Sequence, residues 1–304
     1  MKKIVIWLLM VLLLIGIYVY RKDFSNYIYT QYVNNRKIKI SGHNEYSSNG
    51  DFSLVKTTDD LLPKDKQDIL NIIYTIIDSG VDEFIFYCPT YYENCVTDVE
   101  NIIDDTNIAS VLNNYVHPYN NYNNLYISYN DLGRVTVKID KLYTEEEIAY
   151  INTSIDQISN FIIKKDMTVK EKIKAFHDYI IRYTTYDSVR ANQIRDNVDD
   201  PTNMSHKATG LLLNKTAICG GYTDTMAIFL SKNNIPNIKI STDDHIWNLV
   251  YIDNAWYHLD LTWNDTGAEG EDIIHLFFLI SSKELKVLDA SKHNYQPHLF
   301  KEAN

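Results

Sequence analysis

Ala217-Ile218-Cys219-Gly220-Gly221-Tyr222 is the stretch from which the rest of the chain is best read. A lone cysteine stands there, ahead of a run in which Met226, Ala227, Phe229 and Leu230 fall on one helical stripe. That spacing predicts a helix from Tyr222 to Lys232 and sets Cys219 at or near its N-terminus. The unpaired N–H groups and the dipole at such a position stabilise a thiolate and offer donors to a developing oxyanion. Gly220 and Gly221 allow tight backbone turning and leave space beside the sulfur. Taken alone, the hexapeptide fits a buried cysteine in an ordinary strand-to-helix turn equally well.

The next stretch changes that balance. Asp244–Ile252 and Ala255–Trp263 both read as strands, and Asp253-Asn254 suits a two-residue turn. With that turn Ile252 pairs with Ala255, Trp247 faces Asp260, and His245 faces Thr262. His245 and Asp260 then become diagonal neighbours on one face, shared with Trp247, Leu249, Trp256 and His258. A three-residue loop would put them on opposite faces. A carboxylate among aromatic rings needs a partner, because burying it unpaired costs several kcal/mol. His245 is the expected partner and His258 the rival. Cys219, His245 and Asp260 are thus the residue types of a thiol nucleophile, its base and an orienting carboxylate.

The residues from about 165 to 265 resemble the transglutaminase-like superfamily, a papain-related group. The resemblance is carried by Ala217 to Tyr222, by His245-Ile246-Trp247-Asn248, by Trp256 to Trp263, and by a preceding helix that ends in Tyr186-Asp187. It implies an α+β fold, with the cysteine on a central helix packed against an antiparallel sheet. It also implies Cys219 as nucleophile, His245 as base and Asp260 as orienter, acting on protein or peptide amides through a thioester. Tyr186, Gly220 and Trp247 are the candidates for oxyanion or substrate contacts. No counterpart of the calcium sites of the animal enzymes is seen, and no cofactor or metal is expected. Residues 61–142 resemble, less specifically, a domain that precedes this one in bacterial surface proteins.

Outward from this region the chain divides into four expected parts. In 1–22, Ile4 to Tyr20 carries no charge behind Lys2 and Lys3, which reads as an uncleaved, membrane-spanning signal anchor. Lys2 and Lys3 favour an inward N-terminus, against Arg21 and Lys22 at the other end. The body is therefore expected outside the cytoplasm, at a cell surface where its protein or peptide substrate would lie. Residues 23–60 read as a polar stalk or an irregular start of the next unit, with a strand at Lys37–Ile40. Residues 61–142 read as a small α/β domain: a helix opened by Pro63 and ended by Gly80, a strand Glu83–Cys88, a helical pattern over 95–115, and strands Asn124–Tyr129 and Arg134–Ile139 around Asn130-Asp131-Leu132-Gly133. His117 reads there as a loop residue. Residues 143–304 form the last part. Thr144 with Glu147 and Thr168 with Glu171 are capping-box pairs, opening helices that run to about Lys164 and to Tyr186-Asp187. His177 reads as a surface or boundary histidine. Residues 188–206 read as a loop, 264–272 as an acidic loop, His275–Ile280 as a closing strand and Lys283–Leu288 as a short helix.

Composition narrows the class. The net charge of −11 and pI near 5.2 argue against nucleic acid as a partner, which needs a basic surface. Cys88, Cys95 and Cys219 lack the spacing of a zinc knuckle. Cys88 and Cys95 suit either a bridge or two buried thiols, and Cys219 is left over in both cases. The absence of Cys-x-x-Cys weighs against thiol redox chemistry. A non-catalytic surface scaffold on the same fold is the alternative to an enzyme. The oligomeric state is not legible.

Overall fold

The computed structural model describes residues 2–21, 23–24, 27, 40, 43–48, 50–130, 133–198, 200–267, 273–289 and 291–303. Residues 37–39 of the expected strand at 37–40, the middle of the 130–133 turn, Lys22 and most of the 264–272 loop lie outside them.

Helix α1 spans Lys2–Val19, and its apolar side chains are exposed. At about 1.5 Å per residue it is about 27 Å long, short of a hydrocarbon core of about 30 Å. Among the described residues no helix is long and apolar enough to cross a membrane. The expected segment is therefore a helix, but its spanning role is unsupported.

Residues 43–48 and 50–60 lie against α2 (Lys66–Ser79). Asn44 N–H donates to Ser79 O, Ser48 donates to the Asp78 carboxylate, and Val55 is buried. Asp65 caps α2, and Gly80 ends it at φ +74°, the left-handed geometry glycine supplies. Strand β1 is Glu83–Tyr87. The 95–115 pattern divides into α3 (Cys95–Asp104) and α4 (Thr106–Leu112). Then come β2 (Tyr122–Tyr129) and β3 (Arg134–Lys141), in an antiparallel sheet ordered β1-β3-β2. Cys88 and Cys95 form a disulfide, which leaves Cys219 as the free cysteine.

The two capping boxes form as expected, opening α5 (Glu145–Ile162) and α6 (Val169–Arg182). His177 on α6 is fully buried rather than at a boundary. Strand β4 (Thr185–Tyr186) follows. Where the sequence suggested only a loop, α7 (Ser188–Arg195) forms, because the Asp187 side chain accepts from Arg190 N–H and caps it. After a π-turn at Gly210–Asn214, β5 (Thr216–Ala217) pairs parallel with β4. Helix α8 (Cys219–Lys232) comes next.

The second sheet is antiparallel, ordered β6 (Asn237–Ser241), β7 (Ile246–Ile252), β8 (Ala255–Leu259), β9 (Phe278–Ile280). The hairpin register is the expected one: Ile252 opposite Ala255 and Leu249 opposite His258. Asp253 and Asn254 both take positive φ, as a type I′ turn requires. Both strands are shorter than expected: β7 begins at Ile246 and β8 ends at Leu259. Pairing ends at Asn248–Leu259, because Asp260 caps a short helix, α9 (Leu261–Asn264), instead of continuing β8. A capping box at Ser281 and Glu284 opens α10 (Ser282–Leu288).

The sheet lies between two cores. Val250, Ile252 and Leu259 pack with residues of α5, α6 and α8, including Ile151, Phe176 and Phe229. On the other face Ile238, Ile240, Trp247 and Leu249 share a cluster with α2, the first sheet, Tyr295 and Phe300. The 61–142 segment and the C-terminal segment thus pack against the layer that carries His245.

Candidate active site

Cys219 opens α8, and Ile218 at the cap position supplies no side-chain bond. Gly221 and Tyr222 are the first amides to reach a helical acceptor, the carbonyl of Ile218. The N–H groups of Cys219 and Gly220 precede them, in the part of a helix that has no partner of its own. The glycines are needed for close approach rather than for unusual backbone angles. A Cβ on Gly220 would sit 2.8 Å from the His206 carbonyl oxygen. One on Gly221 would sit 2.6 Å from that of Ser205 and 2.9 Å from Ala217 Cβ. The helix start is thereby pressed onto the 205–207 backbone, and Ile218 N–H donates to Ser205 O at 2.9 Å.

Two bonds fix α8 against β7. Thr223 Oγ1 donates to Ile246 O at 2.9 Å, and Asn248 Nδ2 donates to Thr223 O at 3.0 Å. Thr223 lies one turn beyond Cys219, and Ile246 follows His245. These bonds set the nucleophile and the imidazole relative to each other. The Cys219 thiol is among the groups that raise the pKa of His245, so it faces that imidazole. Cys219 is half-buried and His245 is 9% exposed, so the pair sits at the edge of the solvent.

His245 Nε2 is 2.5 Å from Asp260 Oδ2, which leaves Nδ1 for the thiol. Burial pulls the His245 pKa down, but the Asp260 carboxylate and then Cys219 more than reverse this and raise it to about 10. Burial raises Asp260, but His245 and then His293 bring it down to about 2. The other oxygen, Oδ1, accepts from Trp263 N–H at 3.1 Å. The cap of α9 thus holds one oxygen of the carboxylate and leaves the other for histidine.

The remaining expected residues fall differently. Tyr186 pairs with Ala217 across β4 and β5, two residues before the cysteine. Burial and then the charge of Cys219 raise its pKa. Trp247 is fully buried, its ring is stacked on His245 at 5.5 Å, and its Nε1 donates to His258 Nδ1 at 3.0 Å. It supports the imidazole from behind, and a substrate contact does not fit that burial. His258 is committed to Trp247 and to Ser282 Oγ at 3.0 Å, so it does not rival His245. His293, which no motif in the sequence singles out, has its Nε2 2.9 Å from the same Asp260 oxygen. Nothing in its spacing pointed there.

A second cluster, His177, Asp178 and His275, has the residue types of a metal site. Its hydrogen bonds argue otherwise. Asn264 Oδ1 accepts from Phe277 N–H, so its amide nitrogen donates to His177 Nε2 at 2.9 Å. The His177 proton must then be on Nδ1, where it donates to Asp178 at 2.8 Å and leaves no lone pair for a metal. Asp178 also accepts from Lys174 and His275, at 2.5 and 2.7 Å. The cluster ties α6 to the segment after α9. A polar cavity of about 890 Å³ adjoins the site, with His206, Gly220, Asp224, Lys239 and Ile246 in its walls.

Comparison with known proteins adds little beyond the mixed α and β fold. A solved structure described as a TGase is 18% identical at a TM-score of 0.36, over 56% of this chain and 50% of its own. A proposed cysteine protease from Cytophaga hutchinsonii is 13% identical at a TM-score of 0.28, over 46% of this chain and 61% of that one. The chain thus spans half the length of the first and about three fifths of the second. No family model and no curated protein matches. At these TM-scores neither likeness bears on activity, and the chemistry of the site rests on its own geometry.

Proposed function

We propose that the protein is a cysteine-dependent acyl-transfer enzyme of transglutaminase-like character, acting on protein or peptide amides. One observation carries this reading: a half-buried thiol at a helix start acts electrostatically on an imidazole whose Nε2 is 2.5 Å from a buried, oriented carboxylate. A structural cysteine has no need of that arrangement.

In the proposed reaction His245 takes the thiol proton and Cys219 Sγ attacks the amide carbon. The carbonyl oxygen becomes an oxyanion that the Cys219 and Gly220 N–H groups are proposed to hold, with the Tyr186 hydroxyl as a further candidate donor. His245 then gives its proton to the leaving nitrogen. The C–N bond breaks, the amine departs and a thioester remains. Water or a second amine attacks the thioester as His245 takes its proton, and the thiol is released. Water makes the enzyme a protease or amidase, and an amine makes it a cross-linker.

The test is to trap the thioester by mass spectrometry with a glutamine-containing peptide library, using Cys219→Ala as the control. A Cys219-linked acyl adduct in the wild type alone supports the reading. Iodoacetamide labelling no faster than that of a free thiol, and unchanged in His245→Ala, refutes it and favours a scaffold.

The proposed setting is a cell surface, with the chain attached to a membrane through α1. The Cys88–Cys95 disulfide and the exposed apolar face of α1 support it. Labelling of tagged protein in intact cells by an impermeant reagent tests it, and protection from that reagent refutes it.

A further inference from the structure

We propose that His293 is a positioning residue, holding the Asp260 carboxylate in the place from which it orients His245. The proposal rests on the acyl-transfer reading above, and it extends Cys219, His245 and Asp260 by His293 and Asp289.

The two histidines converge on one oxygen. Asp260 Oδ2 takes His245 Nε2 at 2.5 Å and His293 Nε2 at 2.9 Å, while Oδ1 takes Trp263 N–H. Both Nε2 atoms must carry protons to bond a carboxylate that is already the acceptor. That leaves neither of them a lone pair for a metal, although the three residues have the types of a metal site. His293 Nδ1 in turn lies 2.9 Å from Asp289 Oδ2. Asp289 accepts from Ser291 N–H, Ser291 Oγ and Lys292 N–H, so it is fixed as an acceptor too. Filling both bonds of His293 at once therefore requires protons on both ring nitrogens.

The ring has no freedom to leave this position. His293 is buried, stacked on Phe277 at 5.1 Å, with the edges of Trp247 and Trp263 each at 4.8 Å. A residue needed only to fill an aromatic box would be apolar, because an imidazole there must have both nitrogens satisfied. The ionisable groups that face it are Asp260 and Asp289 at its nitrogens, His245 at 5.3 Å between rings, and His258 on β8. Burial and then the charge of His293 lower the His258 pKa to about 3, which keeps that ring neutral at working pH.

The sign of the effect follows from Asp260. His293 is among the groups that lower its pKa. Removing His293 raises that pKa, so Asp260 is neutralised at a higher pH and releases His245 there. A role in packing alone would slow the thiol equally at every pH.

The test measures iodoacetamide labelling of Cys219 in the full chain from pH 2.5 to 8 by mass spectrometry, with short pulses on protein shown to be folded at each pH. The proteins are wild type, His245→Ala, His293→Ala, and a double variant His293→Gln with Asp289→Asn. The double variant keeps two uncharged hydrogen bonds in line. The acid limb is expected to move up by about one pH unit in His293→Ala. With Asp260 moving from about 2 to about one unit higher, the loss should be about threefold at pH 2.5, about twofold at pH 3 and negligible above about pH 5, and the double variant should recover at least half of the shift. An unshifted limb in His293→Ala, or an equal shift in both variants, overturns the proposal. If His293→Ala does not fold, the double variant decides alone: a limb close to wild type supports the proposal and a fully shifted one overturns it. If His245→Ala slows labelling while the His293 variants match wild type, only this inference fails. If His245→Ala also has no effect, the acyl-transfer reading fails.

Discussion

Replacing Asp260 by asparagine changes few atoms and should disable the thiol. In the native site the carboxylate accepts from Trp263 N–H on one oxygen, and from His245 and His293 on the other. An amide has one oxygen and one NH₂ group and cannot serve both sides. If its oxygen faces Trp263, its NH₂ faces His245 Nε2, which must then accept. The His245 proton moves to Nδ1, the nitrogen nearest Cys219, and the ring can no longer take the thiol proton. The reversed rotamer sets NH₂ against the Trp263 N–H instead. A thiol left without its base behaves as a free one of pKa about 8.5, with about one part in 3,000 ionised at pH 5. A thiolate held by an imidazolium is formed there, but its lower basicity makes it a weaker nucleophile. The two effects leave an expected slowing of about one order of magnitude in iodoacetamide labelling at pH 5. In turnover the loss should be larger, about 10⁴-fold, as when the tautomer is inverted in a serine protease triad. Breaking this buried pair should also cost about 3–5 kcal/mol of stability. For a chain of this size that lowers Tm by roughly 6–15 °C. Labelling is therefore read on protein shown to be folded by circular dichroism at 20 °C. A folded Asp260→Asn protein that labels like wild type at pH 5 would refute the assignment of His245 as base and Asp260 as orienter.

Other outcomes follow from the same structure. Gly221→Ala puts a Cβ 2.6 Å from a backbone oxygen, and should cost about 1–3 kcal/mol in urea denaturation; an unchanged midpoint would contradict the close approach. The Cys88–Cys95 bridge closes a short loop, with a sequence separation of 7, so Cys88→Ser with Cys95→Ser should cost about 2.5 kcal/mol and leave the Cys219 labelling rate unchanged. Lys239 and Asp224 form a buried ion pair at 3.1 Å, so Lys239→Met should cost about 3–5 kcal/mol by leaving the buried Asp224 charge with the Tyr143 hydroxyl but no cation, and a loss below 1 kcal/mol would count against the pair. The folded-state pKa of Asp260 is depressed to about 2, so its stabilising contribution is full above about pH 4 and is lost as pH falls toward 2. His245 is raised to about 10, so its share is full below about pH 6.5 and disappears as pH rises through 10. Stability measured against pH should fall on both sides, and in Asp260→Asn the alkaline fall should move to lower pH.

The parts of this site that the sequence made legible are those written in local periodicity. The two-residue turn fixed the β7–β8 register, because Asp253 and Asn254 tolerate the positive φ that turn needs and the alternation of side chains then follows. The stripe after Cys219 marked α8 in the same way. What periodicity could not show was where a strand yields to a cap. Asp260 was expected to continue β8, yet its side chain reaches Trp263 N–H and starts α9. That competition between ladder and cap is decided by the residues packed around it. The extra reach of a helical turn, rather than the ladder, brings Asp260 to His245. Helix α7 was missed for a related reason: its interior has no buried residue, so no apolar stripe announces it, and only the Asp187 cap does.

His293 was illegible for a different reason, and that reason bears on how the site forms. It sits in a polar turn after α10, held by Asp289 four residues earlier and by Asp260 far back in the chain. No window of sequence contains that geometry. Its aromatic surroundings come from β7, α9 and the approach to β9. Cys219 lies on α8, His245 lies just before β7, and Asp260 caps α9. Each of these depends on contacts distant in sequence, and the segment carrying His293 packs against all but the first. Thiol, imidazole and carboxylate are therefore brought into line only when the sheet has paired and the C-terminal segment has docked on its face. On this view deleting residues after Leu288 should leave α8 and the hairpin formed, yet release Asp260 from one of its two histidines. Such a truncated protein, if folded, should show the shifted labelling profile of His293→Ala. A truncated protein with the wild-type profile would mean that Trp263 N–H and His245 hold the carboxylate without help.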